Sequence, residues 1–136
     1  MSTAENKRAI QRYFEQLANG SPEIPDLFTE DVTWWVPGSS SLGGSHEGRE
    51  AVLALMGQGV DLYDRSVPMQ MEIQEMVAEG DQVCAQLVIR ARTARGEDYE
   101  NYYHFAFRLR DGKICAVKEY VDTLYAQRKL FAAGEA

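Results

Sequence analysis

The feature that most constrains this chain is a succession of long alternating runs between Val67 and Thr123. Met69, Met71 and Ile73 alternate with Gln70, Glu72 and Gln74. Residues 82–93 set Val83, Ala85, Leu87 and Ile89 against Cys84, Gln86, Val88 and Arg90. Residues 99–110 and 114–123 follow, joined by Arg110-Asp111-Gly112-Lys113, and Glu79-Gly80-Asp81 and Arg95-Gly96-Glu97-Asp98 supply the earlier turns. A period of two places alternate side chains on opposite faces of a strand, and Asp-Gly between such runs is a hairpin signal. These strands are longer than the typical five or six residues, and long strands twist and curl. A meander of this kind needs helices laid on its apolar face.

The first half of the chain supplies them. Residues 2–19 read as an amphipathic helix, opened by the capping-box sequence Ser2-Thr3-Ala4-Glu5. Ile10, Tyr13, Phe14 and Leu17 form its apolar stripe, and Asn19-Gly20 ends it. Ser21-Pro22 starts a second, short helix whose apolar end is Leu27-Phe28. Residues 32–36, VTWWV, have strand composition. Residues 38–48, GSSSLGGSHEG, read as a loop over the mouth of a cavity, and residues 49–59 as a third helix. The tail, Ala126–Ala133, reads as a short helical segment. Helices segregated from a meander give an α+β fold: a curved, mostly antiparallel mixed sheet wrapped around helices, forming a cone with an internal pocket.

Length and charge narrow the function classes. At 136 residues the chain is read as a single domain, 1–136, able to bury a core without disulfides or a structural metal. A net charge of −7 argues against nucleic acid, which requires a basic face. No apolar run reaches a membrane span. The first residues lack a signal-peptide pattern, so the expectation is a cytoplasmic protein. Cys84 and Cys115 lie in strand-like runs and are expected as free buried thiols. No nucleotide, phosphate or CxxC motif is present, and two histidines, His46 and His104, are too few for a His-rich metal site. The expectation is no cofactor and no metal.

The residues that can carry chemistry gather in 101–122. Asn101, Tyr103, Phe105 and Phe107 share the more apolar face, which should look inward, while His104 falls on the opposite face. A cavity-facing phenol can donate to a carbonyl or enolate oxygen. Glu119 and Asp122 are the candidate acids, because a carboxyl desolvated in an apolar cavity acquires a pKa suited to proton transfer. They have opposite parity, so either a bulge intervenes or only one of them faces the cavity. We assign proton transfer to Asp122, with Tyr13 and Tyr103 steadying charge on oxygen. Trp35, Phe105, Glu119, Met56 and His46 are assigned to ligand contact. Arg90 and Arg92 share a strand face and are expected to point outward, toward acidic neighbours.

Three stretches together carry a family resemblance: IQRYFEQLANGSPEIPDLFTEDVTWWVPG, GGSHEGREAVLALM and YHFAFRLRDGKICAVKEYVD. In this order and spacing they resemble the nuclear-transport-factor-2-like superfamily, and within it the SnoaL-like and ketosteroid-isomerase-like branch. The resemblance implies a cone-shaped α+β fold, a small-molecule ligand and a homodimer through the outer sheet face. It also implies activities that range over isomerisation, cyclisation, dehydration and epoxide opening. Tyr13 matches the isomerases' oxyanion-hole tyrosine, Tyr103 the position of their second oxyanion-hole acid, and Val36 stands where they keep the general base. Asp122 matches the terminal acid of the E-Y-x-D pattern. Arg90 and Arg92 occupy the neighbourhood of the epoxide hydrolases' Arg and Asp, without the Asp. Authentic steroid isomerase activity is therefore not expected. The reading is an isomerase, cyclase or lyase acting by proton transfer on a small hydrophobic or carbonyl substrate, against a non-catalytic ligand-binding or dimeric interaction module.

Overall fold

The structure is a computed structural model and describes residues 2–131. Helix α1, Thr3–Asn19, begins at the expected capping box: the Glu5 N–H donates to Ser2 Oγ at 3.1 Å and the Ser2 N–H to Glu5 Oε1 at 3.0 Å. It closes on Gly20 at φ 63°, a left-handed cap that glycine adopts without strain. A 3-10 turn, Ile24–Leu27, leads into β1, Phe28–Val36, then β2, Gly44–Glu47, and α2, Arg49–Val60. The meander follows as β3, Gln70–Glu79; β4, Gln82–Arg92; β5, Asp98–Arg110; and β6, Lys113–Val121. A short helix α3, Thr123–Ala126, runs into a π-helical turn, Gln127–Phe131. The last residues of the expected helical tail, 132 and 133, lie outside the described residues.

The six strands make one mixed sheet in the order β2-β1-β6-β5-β4-β3. β1 and β6 are parallel, while the other neighbouring pairs are antiparallel. The β5–β6 turn has positive φ at both Asp111 (53°) and Gly112 (80°), the backbone an Asp-Gly hairpin requires. Register shifts between Ile73 and Glu75, Arg108 and Leu109, and Phe28 and Thr33 break the pleat. Bulges of this kind bend a strand and increase its twist, and the sheet curls around the helices as the α+β cone expected.

The core lies between α1 and the concave face. Ile10, Tyr13 and Phe14 of α1 are buried with Phe28, Phe105 and Phe107. Phe14 meets Phe105 and Phe107 at ring-centroid distances of 5.9 and 5.8 Å. In β5 every odd residue from Tyr99 to Leu109 is buried, as alternation predicts.

Two boundaries differ from the sequence reading. β1 starts at Phe28, which the sequence pattern assigns to the end of the short helix; Phe28 pairs with Ile114 of β6. Residues 44–47, read as loop, form β2 by pairing antiparallel with 33–36. Their Gly and Ser content gives little strand propensity, and the partner strand's ladder overrides it. The thiols are free, but Cys84 and Cys115 are half-buried rather than buried.

Candidate functional site

The open end of the cone encloses a cavity of about 250 Å³. Its wall is mostly apolar. Phe14 and Leu17 come from α1, Leu55 and Met56 from α2, and Leu87 and Ile89 from β4. Across the mouth lie Leu42, from the β1–β2 connection, and Ala126, Leu130 and Phe131, from the C-terminal segment. That segment is tied down by polar contacts outside the cavity. Arg95 donates to the Lys129 carbonyl at 2.5 Å, and Ser41 Oγ to Gln127 Oε1 at 3.0 Å.

Among the described lining residues Glu119 is the one carboxyl, and no Lys, Arg or His joins it. Glu119 sits on β6 opposite Phe105 of β5, and shares its parity with Val117 and Val121. Its carboxyl accepts one hydrogen bond, from the Trp34 indole N–H at 3.1 Å. Burial pushes its pKa up from the ordinary 4.5 to about 7, while the Trp34 hydrogen bond pulls the other way. Desolvation dominates because one neutral donor cannot replace the lost hydration of a carboxylate. The result is a carboxyl that both holds and releases a proton near neutral pH.

Phenols surround this acid. Tyr13, 1% exposed, is held by Phe28 and Phe107 at 5.7 and 5.8 Å, both edge-on. Burial drives its pKa up, and the nearby Glu119 charge adds to the rise. Tyr103 lies in the wall, stacked on Phe105 at 5.7 Å, with its hydroxyl 2.7 Å from that of Tyr99. Burial and then the neighbouring phenols Tyr63 and Tyr99 raise its pKa well above 10. Tyr63 lines the cavity beside them, its ring 5.5 Å from that of Tyr99. All these phenols stay protonated at neutral pH and are donors rather than bases.

The structure therefore brings Tyr13, Tyr103, Phe105, Met56 and Glu119 around one cavity and leaves three assigned residues away from it. Asp122 is exposed and accepts the Tyr125 N–H at 3.1 Å as N-cap of α3. The strand ends at Val121, so Asp122 turns toward solvent and the acid at the cavity is Glu119. Trp35 lies on the other sheet face from Trp34, packed 5.2 Å from Tyr120, and Trp34 lines the cavity in its place. Parity held this signal, since Trp34 aligns with the apolar Val32 and Val36 and Trp35 with Thr33. His46 is in β2 and bonds to the Leu42 carbonyl at 2.9 Å, outside the cavity wall. His104 is exposed on the outer face, where Arg90 also bridges Glu72 and Glu100 at 2.8 Å each. Val36 lines the cavity, so the position that resembles the isomerase base is apolar. Tyr63 was missed because it sits in an irregular segment whose single bridge, to Thr93, no local pattern announces.

Among the described residues no group of three or more His, Cys, Asp or Glu side chains converges to hold a metal, and no helix is long and apolar enough to cross a membrane.

Comparison with known proteins places this geometry. An NTF2-like protein of Burkholderia xenovorans LB400 is similar at 27% identity and a TM-score of 0.77, over 96% of this chain and 98% of that one. An NTF2-like protein of unknown function from Burkholderia pseudomallei K96243 shares 20% identity with a TM-score of 0.82, over 97% and 100% of the two chains. TerC, crystallised with polyporic acid, shares 21% identity with a TM-score of 0.80, over 93% and 98%. A search of curated proteins finds no match. The model of the SnoaL-like domain matches residues 10–117, most of the chain, and the protein belongs to that family.

Proposed function

We propose that this protein is a proton-transfer enzyme, an isomerase, cyclase or lyase, acting on a small uncharged molecule that carries a carbonyl group. One observation carries the reading: Glu119, the one carboxyl among the described lining residues, with its pKa pushed up to about 7 inside a mostly apolar cavity. A carboxylate in such a place is a stronger base than in water, and its protonated form is an available acid. Glu119 takes a proton from carbon next to the carbonyl and returns it elsewhere on the same substrate. Tyr103 and Tyr13 donate hydrogen bonds to the oxygen on which charge develops. Phe105, Met56 and Trp34 pack on the apolar body. An anionic substrate would meet Glu119 with no cation among the described lining residues, so a neutral one is favoured. The co-crystallisation of TerC with polyporic acid supports a small organic ligand for a protein of this fold.

The test uses acetophenone in D₂O, with exchange of its methyl protons followed by NMR. Exchange faster than in buffer, rising with pH through about 7 and lost in Glu119→Gln, is expected. Asp122→Asn should exchange at the wild-type rate. Equal exchange by wild type and Glu119→Gln would sink the acid/base role, and binding without exchange would leave a ligand-binding protein instead.

The same proposal includes a homodimer through the outer sheet face, where Tyr102 is 57% exposed and Tyr120, packed on Trp35, is 47% exposed. Light scattering on the purified protein tests it. Two free thiols support a reducing compartment such as the cytoplasm.

A further inference from the structure

Two buried polar residues behind the cavity wall, Tyr99 and Asn101, have no part in the proton transfer described above. They are 2% and 1% exposed and share the inward face of β5 with Tyr103. The Asn101 amide is fixed at both ends. Its Oδ1 accepts the Tyr102 N–H at 2.8 Å, and its Nδ2 donates to the Asp122 carbonyl at 3.2 Å. The same Nδ2 donates to the Tyr99 hydroxyl oxygen at 2.9 Å.

Tyr99 and Tyr103 then share one hydrogen bond of 2.7 Å, in which either oxygen can be the donor. Tyr99 already accepts from Asn101. If it also accepted from Tyr103, its own proton would have only the Tyr63 hydroxyl to turn to, with which it makes no hydrogen bond of normal geometry. A buried donor without an acceptor is costly, because it has lost its hydration and gained no bond in exchange. Tyr99 therefore donates to Tyr103. The Tyr103 oxygen is occupied on its inner side, and its own proton is left for the cavity that its ring lines. Tyr63 stands beside both hydroxyls as a further polar neighbour.

We infer that Asn101 and Tyr99 are positioning residues that aim the Tyr103 hydroxyl proton into the cavity, toward the carbonyl oxygen of the ligand. The inference rests on reading the cavity as a carbonyl site, but not on Glu119 performing chemistry. Each donor in the chain polarises the next, so the last bond is both oriented and strengthened.

The experiment is infrared difference spectroscopy of acetophenone labelled with ¹³C at the carbonyl. It is recorded at about pH 8.5, above the Glu119 value of about 7, so that this carboxyl cannot donate. In wild type the carbonyl stretch should lie well below its position in an alkane. Tyr103→Phe should move it back toward the alkane position, the shift that remains being that of the Tyr13 hydrogen bond. Tyr99→Phe and Asn101→Leu keep the Tyr103 hydroxyl and should return about 10–30% of the shift, the cooperative share of one bond in a chain. Tyr99→Phe retains the ring packing on Tyr63 and Tyr125 at 5.5 and 5.4 Å, and an unchanged far-ultraviolet circular dichroism spectrum and urea midpoint confirm its fold. A Tyr99→Phe band that superimposes on wild type while Tyr103→Phe shifts would overturn the relay. A wild-type band at the alkane or bulk-water position, or no change in Tyr103→Phe, would overturn it as well. The readout needs no turnover. An intact pattern of shifts without proton exchange refutes the Glu119 chemistry alone, and exchange without the pattern refutes the relay alone.

Discussion

Replacing Glu119 with Gln should change how stability depends on pH, and the size of the change follows from the site. The amide is nearly isosteric and keeps an oxygen to accept the Trp34 N–H at 3.1 Å, so packing and that hydrogen bond survive. Only the titration is lost. In wild type the carboxyl titrates at about 7 when folded, against an ordinary 4.5. At pH values below 4.5 both states carry the proton and Glu119 contributes nothing. Between 4.5 and about 7 the unfolded chain releases its proton while the folded chain retains it, so raising pH favours unfolding. Above about 7 both states are ionised and the loss is complete. At 1.36 kcal/mol per pKa unit the full loss is roughly 3 kcal/mol. Most of it, roughly 2–3 kcal/mol, falls between about pH 5 and pH 8. Urea unfolding of both proteins at those two pH values measures it through the midpoint and slope. The stability of Glu119→Gln relative to wild type should rise by that amount from the lower pH to the higher, and the remaining acids cancel in the double difference. A relative stability that is the same at both pH values would show a solvated carboxyl and remove the physical basis for its role as a base.

Three further outcomes are expected. Trp34→Phe removes the donor that holds Glu119 down, so the pH midpoint of acetophenone exchange should move above about 7; an unmoved or lowered midpoint contradicts the assigned electrostatics. Phe105→Ala empties the centre of the aromatic wall between Phe14, Trp34, Tyr103 and Phe107, and urea unfolding should show a loss of about 3–5 kcal/mol. Asp122→Ala deletes the cap of α3, at a cost of about 0.5–2 kcal/mol. Hydrogen exchange should rise within 123–131, and faster exchange elsewhere would place Asp122 in the core after all.

Much of this protein was legible in its residues. The capping box at Ser2–Glu5, the stripe Ile10-Tyr13-Phe14, the alternation of β5 and the Asp-Gly hairpin each depend on interactions within a few residues. They fix the helices, the meander and the inward faces of Tyr103 and Phe105. What failed lay at ends and edges. Asp122 carries the right chemistry one residue beyond the last residue of β6, where the strand's alternation no longer governs. His46 belongs to a Gly-Ser segment whose strand form exists only because 33–36 of β1 supplies the ladder.

The sequence by itself determined that a curled sheet would close over α1 and enclose an apolar cavity, because local periodicity and turn chemistry dictate which side chains must leave water. Only the tertiary structure decided which acid enters that cavity. The choice depends on where β6 ends and on Trp34 reaching Glu119 from the adjacent parallel strand, and the Tyr103 hydroxyl bonds to Tyr99, which Asn101 holds in turn. A carboxyl's pKa and a hydroxyl's direction are set by neighbours distant in sequence, and no spacing within the chain records them.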